Sequence, residues 1–293
     1  MAGQCAVTKS VTKLASGMSW RRTIADWTLP PNVENLIRLG LSNARKTSSG
    51  ELSRNLRFSN LHQGQRCFVI ATGSSLKRQN LKLLAGEICI GVSNLFVHPC
   101  YKIFKPQYHC VPPWHPPITE AAMITWFTEM ASATGDASLF VSLSDKARVA
   151  KATGSANDNI YYLYHNDVAY NRSPGIDLTA PIPSPRSVTI SALYLAVYLG
   201  CRDIYLLGFD HDWLAHVGES LHCYEESQHA LNRNGYDEWG AYEMEPQFRN
   251  LLELWKQYRA LKKMASARGT TIYNATDGGW LDVFQRVNYE KLF

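Results

Sequence analysis

"CFVIATGSSLKRQNLKLLAGEICIGVSNLF", residues 67–96, passes from an apolar run through a turn with one glycine to a mixed stretch and a second apolar run. Cys67–Ala71 carries no polar side chain, as expected of a parallel strand buried on both faces. Leu76–Leu84 reads as a helix and Ile88–Val92 as the next strand, so the stretch is a βαβ unit. Its turn is Ala71-Thr72-Gly73-Ser74-Ser75-Leu76. Gly73 lets backbone approach a ligand, and the N–H groups of Ser74, Ser75 and Leu76 at a helix start attract phosphate. An ordinary tight turn explains the glycine equally well. Neither G-x-G-x-x-G nor G-x-x-x-x-G-K-[ST] occurs, which counts against NAD and against P-loop ATP hydrolysis.

A second unit, "SVTISALYLAVYLGCRDIYLLGFDHDW" at 187–213, is plainer still. Ser187–Leu199 reads as an apolar helix capped by Gly200, and Ile204–Gly208 as a buried strand. The edge of that strand carries Phe209, Asp210, His211 and Asp212. Ligands of open parallel sheets bind at the C-terminal ends of strands, where this cluster and the Gly73 turn both fall. Between the units lie a strand near Tyr108–Pro112, the string "VPPWHPPITE" at 111–120, a helix over Glu120–Met130, and strands in "SLFVSL" and "NIYYLYH". Residues 166–186 read as a lid-like loop. A helix over Pro246–Arg268 and a strand at Thr271–Asn274 close the pattern. The expected class is α/β: a Rossmann-like doubly wound, mainly parallel sheet with helices on both faces and a lid-like insertion. It spans 65–293, and residues 1–64, with a helical period in "NVENLIRLGLSNARK" at 32–46, form an N-terminal appendage.

The 293 residues are 45% hydrophobic and carry a formal charge of +5. That is enough to bury a large core, and the spread of basic residues suits an anionic small molecule or membrane face rather than nucleic acid. Seven cysteines without a Cys-x-x-Cys pair argue against a disulfide framework or zinc ribbon, and read as reduced core thiols, Cys201 and Cys223 included. No stretch approaches the ~20 apolar residues of a membrane helix, and no signal-peptide core is present. The expectation is a cytoplasmic protein and homo-oligomer, with contact at the inner-membrane surface left open.

Asp210, His211 and Asp212, followed by His216, His222 and His229, would suit a metal, but no helical His-x-x-x-His pair accompanies them, so metal is the weaker reading. His222, flanked by Leu221, Cys223 and Tyr224 rather than by charge, reads as a general base. Asn94, just past the second strand, and Arg186, just before the long helix, are placed to meet a base, sugar or phosphate. His109 and His115 read more weakly, at least one of them as structural.

Three blocks together resemble a known family. "CFVIATGSSL" with "IGVSNLF" is similar to the "GNGPSL … N-x-F" opening of the bacterial sialyltransferases of glycosyltransferase family 42 and the related 6-hydroxymethylpterin diphosphokinase-like group. "SALYLAVYLGCRDIYLLGFDHDW" with "LHCY" is similar to the second core block, and "TTIYNATDGGWLDVFQRVNYEKL" resembles the C-terminal signature of members from surface-polysaccharide loci. The resemblance covers roughly 67–293. It implies a transferase using a nucleotide-activated sugar, with a CMP-linked nonulosonic acid as donor, a glycan as acceptor, and no cofactor or metal. It places Thr72, Gly73, Ser74, Ser75, Asn94, Ser187, Thr189, Gly208 and Asp210 around the donor, and His222, Arg186 and Tyr224 at the chemistry. Thr72 stands where the family has Asn, Ser74 where it has Pro, and the family's Thr-Ser-Gly is not intact. Two other readings remain: Mg²⁺-dependent diphosphoryl transfer to a pterin alcohol, with Asp210 and Asp212 on the metal, and a non-catalytic nucleotide-binding member.

Overall fold

The computed structural model describes residues 50–154, 157–166, 175–216, 219, 221–225, 228–233 and 243–293. The chain divides between Thr47 and Ser48, and the unit from Ser48 onward contains all of them. The helical period at 32–46 lies outside the described residues, as does 167–174 within the loop read as a lid.

Eight strands form one sheet, all paired in parallel: β1 (Arg66–Ile70), β2 (Cys89–Val92), β3 (Tyr108–Cys110), β4 (Ser138–Ser142), β5 (Ile160–Leu163), β8 (Asp203–Leu207), β9 (Thr271–Asn274) and β10 (Gln285–Arg286). A separate short pair joins β6 (His165–Asn166) to β7 (Ile182–Pro183). The order across the sheet is β10-β9-β8-β1-β2-β3-β4-β5. The chain therefore winds outward from β1 in one direction, returns, and winds outward from β8 in the other. This is the doubly wound, Rossmann-like α/β architecture, with its topological switch between β1 and β8.

Helices cover both faces. On one, α3 (Val188–Tyr198) packs on β1, β2 and β3, and α4 (Met244–Ser266) packs on α3 and β9. Thr189 to Tyr198 are all buried, which is why this helix is apolar all round. In contrast α4 buries only the stripe Leu254, Gln257, Tyr258, Leu261 and Ala265. On the other face Trp126, Phe127 and Met130 of α1 (Glu120–Thr134) are buried in the same apolar cluster as Phe68 and Ile70. The Thr119 hydroxyl caps α1, accepting from the Ala122 N–H at 3.2 Å. The shorter α2 (Lys146–Thr153) follows β4.

Two local differences from the sequence reading have clear causes. The segment 76–84 is not one helix but two 3-10 turns, Ser74–Arg78 and Leu81–Leu84. Gln79 between them is extended, its side-chain amide donating to the Ala275 carbonyl at 2.8 Å, and the Asn80 side chain restarts the second turn. Residues 50–64, assigned to the appendage by sequence, pack on the core: Asn55 donates to the carbonyls of Tyr162 and Leu178, both at 2.8 Å, and Phe58 meets Tyr108, Phe140 and Tyr161 edge-on.

Candidate functional site

At the switch, the turns after β1 and β8 open onto a cavity of about 590 Å³. Thr72, Gly73, Asn94, Gly208 and Asp210 line it together with Arg186, Ser187, Thr189, His222 and Tyr224. Of the residues that the resemblance places at the donor or at the chemistry, Ser74 and Ser75 lie outside the lining, as do the weaker candidates His109, His216, Cys201 and Cys223.

For the two serines the reason is the Asp210 carboxylate, which sits on the turn after β1. The Ser75 N–H donates to its Oδ2 at 2.9 Å, the Ser75 hydroxyl donates to Oδ1, and the Ser74 hydroxyl reaches Oδ2 at 3.4 Å. A side chain of this protein thus occupies the position at the helix start that an anion would take. Burial raises the Asp210 pKa, while the Ser75 bonds oppose the shift. The glycines follow from the same packing. A Cβ at Gly73 would fall 2.5 Å from Asp210 Cγ and 2.6 Å from the Gly208 carbonyl oxygen. Gly208 has φ +71°, and a Cβ on Gly279 would fall 2.6 Å from the Asp210 backbone.

His222 is tied to this turn by main chain. It forms an antiparallel bridge with Gly73, and the Cys223 N–H donates to the Thr72 carbonyl at 2.9 Å. Its ring stacks on Tyr224 with centroids 4.9 Å apart and planes 5° from parallel. Tyr224 is fixed from below: Asn94 donates to its oxygen at 3.1 Å and in turn accepts from the Trp126 indole at 2.5 Å. Asn94 is 4% exposed, so its amide orients Tyr224 through a link to α1 that the sequence did not signal.

A third group comes from α3 and α4. Ser187 caps α3, accepting from the Thr189 N–H at 3.3 Å and the Thr189 hydroxyl at 2.9 Å. Thr189 meets the Tyr258 hydroxyl at 2.7 Å, and Tyr258 meets His211 Nε2 at 2.7 Å. His211 sits among Phe209, Trp213, Trp255 and Tyr258, and burial lowers its pKa to about 4. The Arg186 main chain is anchored by Gln257 at 2.8 Å. Its guanidinium is exposed at the cavity and has no ion-pair partner among the described residues.

The remaining histidines divide by setting. His109 is buried, bonded to Tyr101 and to the Ser93 carbonyl, and is lowered to about 4 by burial. It lies on β3 beside Gly91 of β2, outside the cavity lining. His115 is exposed at the cavity, and His216 lies 3.5 Å from Asp212 and 3.2 Å from Glu219. His229 packs edge-on against Tyr224 at 5.6 Å. Cys201 and Cys223 are buried. Among the described residues no group of three or more His, Cys, Asp or Glu side chains is placed to hold a metal ion.

Fold and cavity together define a doubly wound α/β chain with a ligand-sized cleft at its switch point. No family model and no curated protein matches the sequence. Among solved structures, the chain is similar to the sialyltransferase CstII from Campylobacter jejuni in complex with a substrate analogue, cytidine-5'-monophosphate. That likeness has a TM-score of 0.46 at 13% identity, over 77% of this chain and 85% of the other. A single-residue variant of CST-II in complex with CMP aligns with a TM-score of 0.44 at 13% identity, over 76% and 86% of the two chains.

Proposed function

We propose that this chain is a nucleotide-sugar-dependent glycosyltransferase of sialyltransferase-like type, moving a sugar from a CMP-activated donor to a glycan acceptor without a metal ion. The observation that supports it most is the gathering of a backbone-tethered imidazole (His222), a phenol (Tyr224) and an exposed guanidinium (Arg186) on one switch-point cavity. In this reading His222 takes the acceptor hydroxyl's proton as that oxygen bonds to the anomeric carbon. The bond from that carbon to the phosphate oxygen breaks, and the nucleotide leaves with the electron pair. Arg186 neutralises the phosphate charge, and Tyr224, its oxygen already accepting from Asn94, acts toward the phosphate as a donor. Thr72 and Asn94 border the nucleotide side of the cavity. Surface-polysaccharide synthesis at the inner face of the membrane, by a cytoplasmic homo-oligomer, belongs to the same reading.

The diphosphokinase alternative requires Asp210 and Asp212 to hold Mg²⁺. Asp210 is instead bonded to Ser75 and Ser74, which favours the glycosyl-transfer reading. Thermal-shift titration with CMP, UDP, GDP and ATP, each with and without Mg²⁺, separates the two. Metal-independent stabilisation by CMP is expected, and stabilisation by ATP that requires Mg²⁺ would replace this reading with the other.

A further inference from the structure

The group joining Ser187 to His211 has only one consistent direction of hydrogen bonding. Ser187 Oγ accepts twice, from the N–H and the hydroxyl of Thr189 at 3.3 and 2.9 Å. A hydroxyl carries one proton. Having given its proton to Ser187, Thr189 must accept from Tyr258 across the 2.7 Å contact. Tyr258, having given its own, must accept from His211 Nε2 at 2.7 Å, so that nitrogen bears the hydrogen. The Ser187 proton is then the one member of the series without an acceptor inside it. Ser187, Thr189 and His211 all line the switch-point cavity.

We propose that His211 and Tyr258 are positioning residues that hold Ser187 as a dedicated hydrogen-bond donor to an anionic oxygen of the bound ligand, through the one-way series His211, Tyr258, Thr189, Ser187. The class of ligand rests on the reading above. A phosphate or carboxylate oxygen offers only lone pairs, so a reversed series would set a lone pair of Ser187 against it. The terminus of the series is built for a fixed state. His211 takes a left-handed backbone conformation at φ +51°, which a residue with a Cβ adopts at a cost. Four aromatic side chains surround its ring. Burial keeps the imidazole neutral at physiological pH and holds the Tyr258 phenol protonated by raising its pKa. Tyr258 is fully buried on α4, and its ring lies against Phe284. Removing its oxygen therefore leaves the packing in place.

Two measurements decide the matter. Long-range ¹⁵N NMR of the imidazoles in the ligand-free protein at pH 7 should show His211 with hydrogen on Nε2, and the Nδ1–H tautomer would overturn the proposal whatever the ligand proves to be. Calorimetric titration with CMP should show Tyr258→Phe and Ser187→Ala each binding about tenfold more weakly, the scale of one lost bond to a charged group. The double variant should lose no more than either single one, because both break the same series. His211→Leu should match them. His211→Gln, which keeps a donor at the Nε2 position, should restore most of the affinity. Unchanged affinity in Tyr258→Phe, or equal loss in His211→Gln and His211→Leu, would overturn the proposal. If wild-type protein does not bind CMP, the functional reading fails, and the tautomer still decides the series.

Discussion

Replacing Gly73 by alanine tests what the opening turn is for. The residue has φ −60° and ψ 151°, a conformation open to alanine, so no backbone strain is introduced. The added methyl would nevertheless fall 2.5 Å from Asp210 Cγ, 2.6 Å from Asp210 Oδ2 and 2.6 Å from the Gly208 carbonyl oxygen. Overpacking of this kind costs ~1–3 kcal/mol, and one of the opposing atoms is backbone that cannot swing aside. Moving the Asp210 carboxylate would also stretch its bonds from Ser75, worth ~1.5–3 kcal/mol each as bonds to a charged group. These terms overlap, and about 4 kcal/mol is the expected loss. Urea unfolding in the absence of nucleotide measures it, and with a slope near ~3 kcal/mol/M the midpoint should fall by more than ~1 M. Gly86→Ala is the comparison: its φ is +85° but nothing lies within 4 Å of the new methyl, so strain alone of ~1–2 kcal/mol is expected. If Gly73→Ala costs no more than Gly86→Ala, the glycine is not required by strand-end packing and the reasoning fails.

His222→Ala leaves the main-chain bridge to Gly73 available, so CMP affinity should change little while turnover falls by at least ~100-fold; full transferase activity in this variant would remove the base assignment. Arg186→Ala should weaken CMP binding by about tenfold and flatten its dependence on salt, because an exposed guanidinium acts through screened charge; equal salt slopes for variant and wild type would exclude it as the phosphate partner. Asn94→Leu removes bonds to both Trp126 and Tyr224 and should destabilise the fold by ~2–3 kcal/mol, read by denaturant unfolding. Burial lowers the pKa of His109, His165 and His211 to about 4, below the unfolded value near ~6.5. Their contribution to stability is complete above the unfolded value and is lost as pH falls from there toward 4, each adding up to ~1.4 kcal/mol per pH unit; a urea midpoint that stays constant between pH 7 and 5 would contradict this.

The strands were legible because a parallel strand covered on both faces has to be apolar throughout, as in Cys67–Ala71 and Ile204–Leu207. The helix Val188–Tyr198 was legible for the same reason, being enclosed by sheet and α4. Local pattern misled at 76–84, where the tertiary bond from Gln79 to Ala275 interrupts a helical period. The Gln285–Arg286 strand was missed, since both residues are exposed and pair only with β9. Asp210 and the Gly73 turn were placed together correctly from strand ends alone. That Asp210 closes over the Ser75 N–H is invisible in sequence, because it depends on the register of β1 with β8. Tyr258 lies 47 residues from His211, so only the fold reveals that series, although Gln257 and Tyr258 in the middle of the otherwise apolar buried stripe of α4 are polar groups that need partners.

The proposed function requires the switch-point cleft to bind a cytidine nucleotide without metal. Isothermal titration of the purified chain with CMP, UMP, GMP and ATP, first in EDTA and then in excess Mg²⁺, measures this. One CMP per chain is expected in EDTA, bound more tightly than the other three and more weakly in Arg186→Ala. Absence of CMP binding, or binding of ATP alone and only after Mg²⁺ is added, would contradict it.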